Sequence, residues 1–218
     1  LHTAYRRQRQ MCIRDRDSKY QATSVDFSDN HIERFAEGFN GINVETLTLT
    51  KNDFGKANKD EKGKGYFPGA LKGSGISYLL INNCELDTLP PCSFEELEVL
   101  EALDLSGNNL RYLPIEFNSR NLVFVSGLNL SYNRFGVFPM KAMELPMLNK
   151  LYLNDQWDID KKTGKETRPL KDWPTALSSY PGYATLRLLD VSDNDIRKIP
   201  ESNFPTLLAE FNLSLIHI

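Results

Sequence analysis

The stretch that decides the fold is LEALDLSGNNLRYLP, residues 100–114, in which spaced apolar residues lead to an asparagine. The same pattern returns as VSGLNLSYNRFGVFP at residues 125–139 and as LRLLDVSDNDIRKIP at residues 186–200. The shared frame is apolar-x-x-apolar-x-apolar-x-x-Asn-x-apolar. Self-similarity with a period of roughly 20–50 residues indicates a repeat architecture. The frame therefore predicts a solenoid.

Seven segments of the chain fit this frame, and each repeat is identified by the residue in its asparagine position, called the slot. From repeat 1 to repeat 7 the slot residues are Asn30, Asn52, Cys84, Asn108, Asn133, Gln156 and Asn194. Successive slots are 22, 32, 24, 25, 23 and 38 residues apart. The two longest steps contain polar insertions, at residues 56–69 and 157–172. Such length changes are expected of loops.

The frame has a direct physical interpretation. Alternate residues of a strand face opposite sides, so the two apolar residues of each LxL point inward and their neighbours point outward. One such strand cannot bury its apolar face alone, whereas stacked repeats share a continuous core. A slot asparagine both donates and accepts hydrogen bonds, so it can satisfy backbone groups of adjacent turns. The thiol of Cys84 can replace it as a weak donor, and Gln156 is the poorest fit.

The motif LxxLxLxxNxL, present in five repeats and as a close variant in two, resembles leucine-rich repeat proteins over about residues 22–212. The resemblance implies an α/β solenoid: a leucine-rich repeat horseshoe with a parallel concave sheet and an irregular, partly helical convex side. It also implies a protein or glycan ligand on the concave face. No catalytic set is found in residues 17–212, so neither catalysis nor a cofactor is expected. The alternative is a substrate-targeting repeat region of a larger enzyme whose catalytic domain lies outside this chain.

Two convex segments carry helix signals. Residues 139–147, PMKAMELPM, contain two prolines, Pro139 and Pro146, which bound the segment between them. This segment can therefore hold at most about two turns of helix. Ser93 is followed by Glu96 three residues later. This is the pattern of a capping box, and it predicts a second short helix.

The two ends of the chain depart from the repeat frame. LSLIHI, residues 213–218, translates CTG TCT CTT ATA CAC ATC, the end of a transposase-based sequencing adapter, and RRQRQMCIRDR, residues 6–16, translates the matching forward adapter. We therefore expect residues 1–16 and 213–218 to be adapter-derived, without native structure. Residues 17–212 would form one leucine-rich repeat domain of seven repeats and the start of an eighth, whose strand breaks off after Phe211. The alternative is a basic N-terminal arm and an apolar C-terminal strand.

Charge and hydropathy exclude some partners. The first sixteen residues hold five Arg and one Asp, so residues 17–212 carry a net charge of -7 instead of the -3 of the whole chain. Nucleic-acid binding requires clustered cations, so this acidic balance argues against it. Nothing approaches the roughly 18 apolar residues of a membrane span. Irregular repeats with long hydrophilic insertions resemble bacterial surface arrays, which favours a cell-surface or secreted location.

Few residues are available for chemistry. His31 is the one histidine left in residues 17–212, on an exposed position beside a slot. Neither a His-dependent nucleophile nor a His-containing metal site is therefore expected. The first insertion lacks the phosphate-loop pattern. The second begins like a calcium loop, but Lys162 and Thr163 occupy a ligand and the glycine position, so a hairpin turning near residues 163–165 is expected instead. A disulfide between Cys84 and Cys92 is not expected.

The outward positions of the strands define the candidate binding surface. Most are small or polar, and the predicted exceptions are Tyr78, Leu80, Tyr132, Tyr152 and Leu188, bordered by Asp104, Asp155 and Asp190. Tyr132 and Tyr152 are predicted on adjacent strands as one aromatic patch. Exposed tyrosine amid acidic groups is typical of an interface anchor with a charged rim. The alternative is that these tyrosines only cover the sheet.

Overall fold

The computed structural model describes residues 23–33, 44–57, 71, 74–89, 93–94, 97–118, 120–174, 177–199 and 204–214. The N-terminal adapter prediction, on residues 1–16, lies outside the described residues. The same holds for residues 215–218 and for Cys92 and Glu96.

Eight three-residue strands form one parallel sheet. Their bounds are β1 Ser24–Asp26, β2 Thr46–Thr48, β3 Tyr78–Leu80, β4 Ala102–Asp104, β5 Gly127–Asn129, β6 Lys150–Tyr152, β9 Leu188–Asp190 and β10 Glu210–Asn212. Neighbours in the sheet follow chain order, and β6 pairs with β9 because β7 Asp158–Ile159 and β8 Glu166–Thr167 form a separate hairpin. The predicted α/β solenoid with a parallel sheet is confirmed.

The core runs along the whole sheet. The middle residue of each strand of the large sheet, except the last strand β10, is buried, and the apolar residue two positions later joins it. The middle residues are Val25, Leu47, Leu79, Leu103, Leu128, Leu151 and Leu189. All of them belong to one hydrophobic cluster. Each repeat therefore buries its apolar face against its neighbours rather than within itself.

The convex side is irregular and partly helical. Short α-helices span Phe54–Ala57 (α1), Met140–Met143 (α2) and Pro181–Thr185 (α3), and 3-10 segments span Ile115–Asn118, Arg120–Phe124 and Leu177–Ser179. The short helix predicted between prolines is confirmed as α2, which buries Ala142 and Met143. The capping-box prediction stays a prediction, because Glu96 lies outside the described residues; Ser93 and Phe94 form a turn.

The slot residues link consecutive repeats. Asn133 donates from Nδ2 to the carbonyl oxygens of Leu130, in its own repeat, at 3.0 Å and of Leu105, in repeat 4, at 2.9 Å. Its Oδ1 accepts from the N–H of Leu110 at 3.0 Å. Asn52, Asn108, Gln156 and Asn194 make the same kinds of contact. A side-chain amide therefore satisfies buried backbone groups at each of these steps.

The slots of repeats 1 and 3 differ from this pattern. The thiol of Cys84 donates to the carbonyl of Leu49, in repeat 2, at 3.2 Å, the contact that Nδ2 makes elsewhere. Asn30 is exposed and donates to Phe27 and Ser28 within its own repeat. Cys84 is therefore an inter-repeat donor, as predicted for a thiol in the slot, whereas the described contacts of Asn30 are local.

The residue before every slot has a left-handed backbone. The seven residues are Asp29, Lys51, Asn83, Gly107, Tyr132, Asp155 and Asp193, with φ between 53° and 65°. Each donates its N–H to a carbonyl of the following repeat, as Tyr132 does to Asn154 at 3.0 Å. Left-handed backbone is costly for residues with a Cβ, so the turn must be held by these repeated bonds.

The second insertion folds as predicted. Strands β7 and β8 pair antiparallel, which confirms the hairpin. Asp160 Oδ1 accepts from the N–H groups of Lys162 at 2.7 Å and Thr163 at 3.1 Å. An aspartate that accepts from the backbone two residues later orders a turn. Gly164 has the positive φ that closes this one.

The eighth repeat begins with a complete strand. β10 pairs with β9 over three residues, and the N–H of Asp193 donates to the carbonyl of Ser214 at 3.1 Å. Phe211 and Leu213 are partly buried against the core. The expectation that the strand breaks off after Phe211 is wrong, because ladder bonds continue through Asn212.

Candidate functional site

The parallel register turns the outward strand positions into two columns on the concave face. The first positions are Ser24, Thr46, Tyr78, Ala102, Gly127, Lys150, Leu188 and Glu210, and the third are Asp26, Thr48, Leu80, Asp104, Asn129, Tyr152, Asp190 and Asn212. Neighbouring strands lie about 4.8 Å apart, so side chains of one column contact each other across the sheet.

A groove crosses the middle of this face. Two small residues, Ala102 and Gly127, occupy the first position of adjacent strands between the larger Tyr78 and Lys150. The resulting depression has a volume of about 230 Å³. Its lining comprises Tyr78, Leu79, Leu80, Ala102, Leu103, Asp104, Gly127, Leu128, Asn129, Lys150 and Tyr152. We call this depression the concave groove.

Four of the predicted binding residues therefore share one site. Tyr78, Leu80, Asp104 and Tyr152 line the concave groove. Ala102, Gly127, Asn129 and Lys150 were not predicted, because the prediction selected tyrosine and leucine side chains and the aspartates that border them. The sequence signal for the groove is a pair of small residues, Ala102 and Gly127, at the same outward position of consecutive repeats, with larger residues at that position in the repeats on either side.

Leu188, Asp190, Asp155 and Tyr132 are not part of the groove lining. Leu188 and Asp190 lie on β9, next to β6, and both are half-buried. Tyr132 and Asp155 lie in the left-handed turns after β5 and β6. The prediction that Tyr132 and Tyr152 lie on adjacent strands is wrong, since Tyr132 follows the end of β5. Among the described aromatic residues, these two rings do not contact each other. The physical reason is the positive φ of Tyr132, which turns the chain off the strand.

Tyr132 is instead coupled to acidic groups. The negative charge of Asp155, with a side-chain hydrogen bond to it, raises the pKa of Tyr132. Asp155 also accepts from Arg168 Nη1 at 3.2 Å. The phenol is about half exposed. It stays neutral near pH 7, so it can act as a hydrogen-bond donor at the edge of the concave face.

Several carboxylates of the third column have a structural role. Asp104 Oδ1 accepts from the N–H of Ser106 at 2.9 Å, and Asp190 Oδ1 accepts from that of Ser192 at 3.0 Å. Asn129 makes the same bond to Ser131 at 3.1 Å. The sequence signal is Asp or Asn with Ser two residues later, an Asx turn at the end of the strand. Asp104 and Asp190 thus order the backbone as well as bordering the candidate site.

The described residues contain no group of three or more His, Cys, Asp and Glu side chains that could hold a metal ion. His31 is exposed, with Nδ1 3.0 Å from Oδ2 of Asp53. In the part of the chain that the structure describes, no helix has the length and apolar character needed to cross a membrane.

Known proteins share this repeat and this architecture. The family described as Leucine Rich Repeat matches residues 99–119. A leucine-rich repeat protein from Bacteroides thetaiotaomicron has a similar structure, with a TM-score of 0.68 and 27% identity over 91% of this chain and 24% of that one. Mouse podocan is 27% identical over 185 residues, which are 84% of this chain and 26% of podocan. The Toll chain of the Drosophila Toll–Spatzle complex shares the fold, with a TM-score of 0.63 and 21% identity over 87% of this chain and 26% of that one.

The repeat frame, the parallel sheet and these similarities define the chain as a leucine-rich repeat solenoid. It spans about a quarter of the length of each of these three relatives.

Proposed function

We propose that this solenoid is a recognition module that binds a protein ligand on its concave face, with the concave groove as the anchoring site. The observation that carries the proposal is the groove itself, where two small residues open an apolar floor between Tyr78 and Tyr152. Aromatic anchors around a central depression are typical of interface hot spots.

The size of the groove favours a side chain of a larger ligand over an enclosed small molecule. Its volume is about 230 Å³. Pockets that enclose small molecules are larger, from roughly 300 Å³ upward. The apolar lining of the groove comes from outward residues such as Tyr78, Leu80 and Ala102, since the side chains of the middle strand residues are buried in the core. The groove therefore suits an apolar side chain better than a hydroxyl-rich glycan, whose polar groups would lose water against the apolar lining and find partners only at the rim.

A protein ligand is also compatible with this architecture. Toll has the same fold and was solved in a complex with Spatzle.

Lys150 and Asp104 add polar contacts at the rim. Both border the groove, and they bring opposite charges to an otherwise apolar depression. Such a rim contributes specificity and orientation more than affinity. The module would thus anchor an apolar side chain and select its flanking residues by charge.

Photocrosslinking from the groove tests this proposal. A benzophenone side chain is placed at Gly127, where an added Cβ meets only the Cβ of Ala102, at 3.7 Å. The matched control position is Val123, an exposed residue on the convex side that belongs to neither the groove lining nor the hairpin. We expect the benzophenone at position 127 to crosslink a protein in an extract of the source organism. An excess of unlabelled wild-type protein should prevent this crosslink, whereas an excess of the unlabelled Tyr78→Ala variant should not.

Two results would overturn the proposal. A crosslinked product that is carbohydrate would exclude a protein ligand. Crosslinks from position 123 with none from position 127 would exclude the concave groove as the binding site.

A further inference from the structure

The hairpin of the second insertion is fixed to distant repeats. Asp158 forms a bidentate ion pair with Arg111, 47 residues away in repeat 4, including Nη2 to Oδ1 at 2.9 Å. Its Oδ1 also lies 3.7 Å from Nη1 of Arg134, in repeat 5. Bidentate pairing of this kind holds geometry as well as charge. The hairpin is therefore ordered against the solenoid rather than free in solvent.

The contacts also give its direction. The N–H of Trp157 donates to the carbonyl of Asn133 at 2.9 Å, and its ring lies under Arg134, 4.9 Å from the guanidinium carbon to the ring centroid. Since Trp157 contacts repeat 5 and Asp158 reaches repeat 4, the hairpin runs back from repeat 6 across its two predecessors. Pro169 returns beside Gly136 of repeat 5.

The tip of this hairpin concentrates cations on an acidic protein. Lys161, Lys162 and Lys165 are all exposed, and none of them forms an ion pair with the described residues. The carboxylate of Asp160 caps the turn through two backbone N–H groups. The turn thus displays three exposed ammonium groups in an ordered arrangement, beside the carboxylates of Asp160 and Glu166.

An exposed apolar pair lies on the same two repeats. The position four residues after the slot is polar at Lys56, Thr88, Asp160 and Lys198 but apolar at Tyr112 and Val137. These two side chains are 57% and 74% exposed. They belong to repeats 4 and 5, the repeats whose arginines hold the hairpin, and the N–H of Arg134 joins these repeats through the carbonyl of Leu110 at 2.9 Å. The apolar pair thus belongs to the two repeats that anchor the hairpin, and we call the hairpin tip together with Tyr112 and Val137 the hairpin flank.

We propose that the hairpin flank is a second interaction surface, separate from the concave groove, that binds an acidic protein segment containing apolar side chains. The lysines steer and orient the acidic residues, while Tyr112 and Val137 contact the apolar ones. A sulfated glycan would match the lysines only, because it offers no apolar group to Tyr112 and Val137.

The probe is a fluorescent random copolymer of glutamate and tyrosine, with polyglutamate and heparin as comparison polymers and anisotropy as the readout. We expect the copolymer to bind more tightly than polyglutamate, and to weaken as salt screens the exposed charges. The triple variant Lys161→Gln, Lys162→Gln, Lys165→Gln should lose at least about tenfold in affinity. Tyr112→Ser with Val137→Ser should lose the preference for the copolymer over polyglutamate.

Matched control variants remove the same number of positive charges or exposed apolar side chains at positions outside the hairpin flank. The charge control is Lys51→Gln, Arg187→Gln, Lys198→Gln, and the apolar control is Val123→Ser with Phe124→Ser, two exposed residues on the convex side. Gly127→Trp fills the concave groove. All three should bind the copolymer as wild type does, which separates this surface from the concave one.

The proposal is overturned if the copolymer does not bind, or if the charge control weakens binding as much as the hairpin variant does. Tighter binding of heparin, insensitive to Tyr112→Ser and Val137→Ser, would assign the flank to a glycan instead.

Discussion

The side-chain amide of Asn108 donates to the backbone carbonyl of Ile81, in the preceding repeat, at 2.9 Å. In return its Oδ1 accepts from the N–H groups of Cys84 at 2.9 Å and Leu86 at 3.1 Å. One buried side chain thus satisfies three backbone groups of another repeat. The stacking of repeats therefore depends on polar bonds as well as on the leucines.

Replacing Asn108 by Ala should destabilise the protein strongly. The change leaves buried backbone groups without partners, at about 1–3 kcal/mol for each unsatisfied group. Asn30→Ala is the matched control, because Asn30 is exposed and its bonds to the described residues stay within its own repeat. Urea unfolding monitored by circular dichroism measures both changes. Equal stability losses for the two variants would contradict the inter-repeat role of the slot.

Gly107 should resist substitution for two separable reasons. A left-handed backbone disfavours any residue with a Cβ, by roughly 1–2 kcal/mol. Gly107 has a φ of +65°, and an added Cβ would also lie 2.2 Å from Oδ1 of Asn83. Gly164 has a similar φ of +67° with nothing within 4 Å of the added Cβ.

Gly107→Ala should therefore cost more than Gly164→Ala in thermal melts. The excess should vanish in an Asn83→Ala background, and its persistence there would exclude the contact with Asn83 as its cause.

The hairpin should loosen in acid. Partial burial acts to raise the pKa of Asp158, but hydrogen bonds from Arg111 and the Ile159 N–H, with the charges of Arg111 and Arg134, hold it below the usual range. Because the pKa of Asp158 is lower in the folded protein, the stabilisation that its carboxylate gives the hairpin is complete above the ordinary aspartate pKa of about 3.9. This stabilisation is lost as the pH falls through the pKa of Asp158 in the folded protein.

Carboxyl and amide NMR shifts of the hairpin across this pH range measure that loss. Asp158→Asn should remove the pH dependence and cost about 0.2–1 kcal/mol, as for other partly exposed ion pairs. If the NMR shifts of the hairpin stayed unchanged at a pH where Asp158 is protonated, the anchoring role of Asp158 would be contradicted.

Cys84 should be inert in the native state. Burial raises the pKa of its thiol to about 11. The thiolate is the reactive form, so the native thiol has little nucleophilic character in mildly alkaline buffer. In a variant with Cys12→Ser and Cys92→Ser, Ellman's reagent should label it only after unfolding in urea. Rapid labelling without denaturant would show that the slot opens readily.

The tyrosines of the concave groove should matter for binding but not for stability. With a ligand identified by crosslinking, Tyr78→Ala and Tyr152→Ala should each weaken binding by roughly 1–3 kcal/mol. Tyr132→Ala should have a smaller effect, because Tyr132 lies outside the groove lining. Isothermal titration calorimetry with parallel thermal melts provides the comparison. Wild-type affinity for both groove variants would argue that these tyrosines only cover the sheet.

Much of the fold could be predicted because it repeats. The spacing of Leu100, Leu103 and Leu105 recurs along the chain. Inward and outward positions then follow from strand alternation. The hairpin also follows from local residues, since Asp160 and Gly164 build its turn themselves. The position of Tyr132 could not be predicted in the same way, because the left-handed turn that removes it from the strand is held by a bond to Asn154, in the next repeat.

By itself, the sequence determined the solenoid, its core and the slots, because burial of a periodic apolar pattern has one low-energy solution. Only the tertiary structure decided where the surfaces form. The concave groove requires Ala102 and Gly127 to lie side by side, which depends on the register between strands of two different repeats. The hairpin flank requires Asp158 to reach Arg111 across 47 residues, and no local pattern encodes the partner of an insertion. Contacts between repeats depend on how the repeats stack, and this stacking is a property of the whole solenoid rather than of any one repeat.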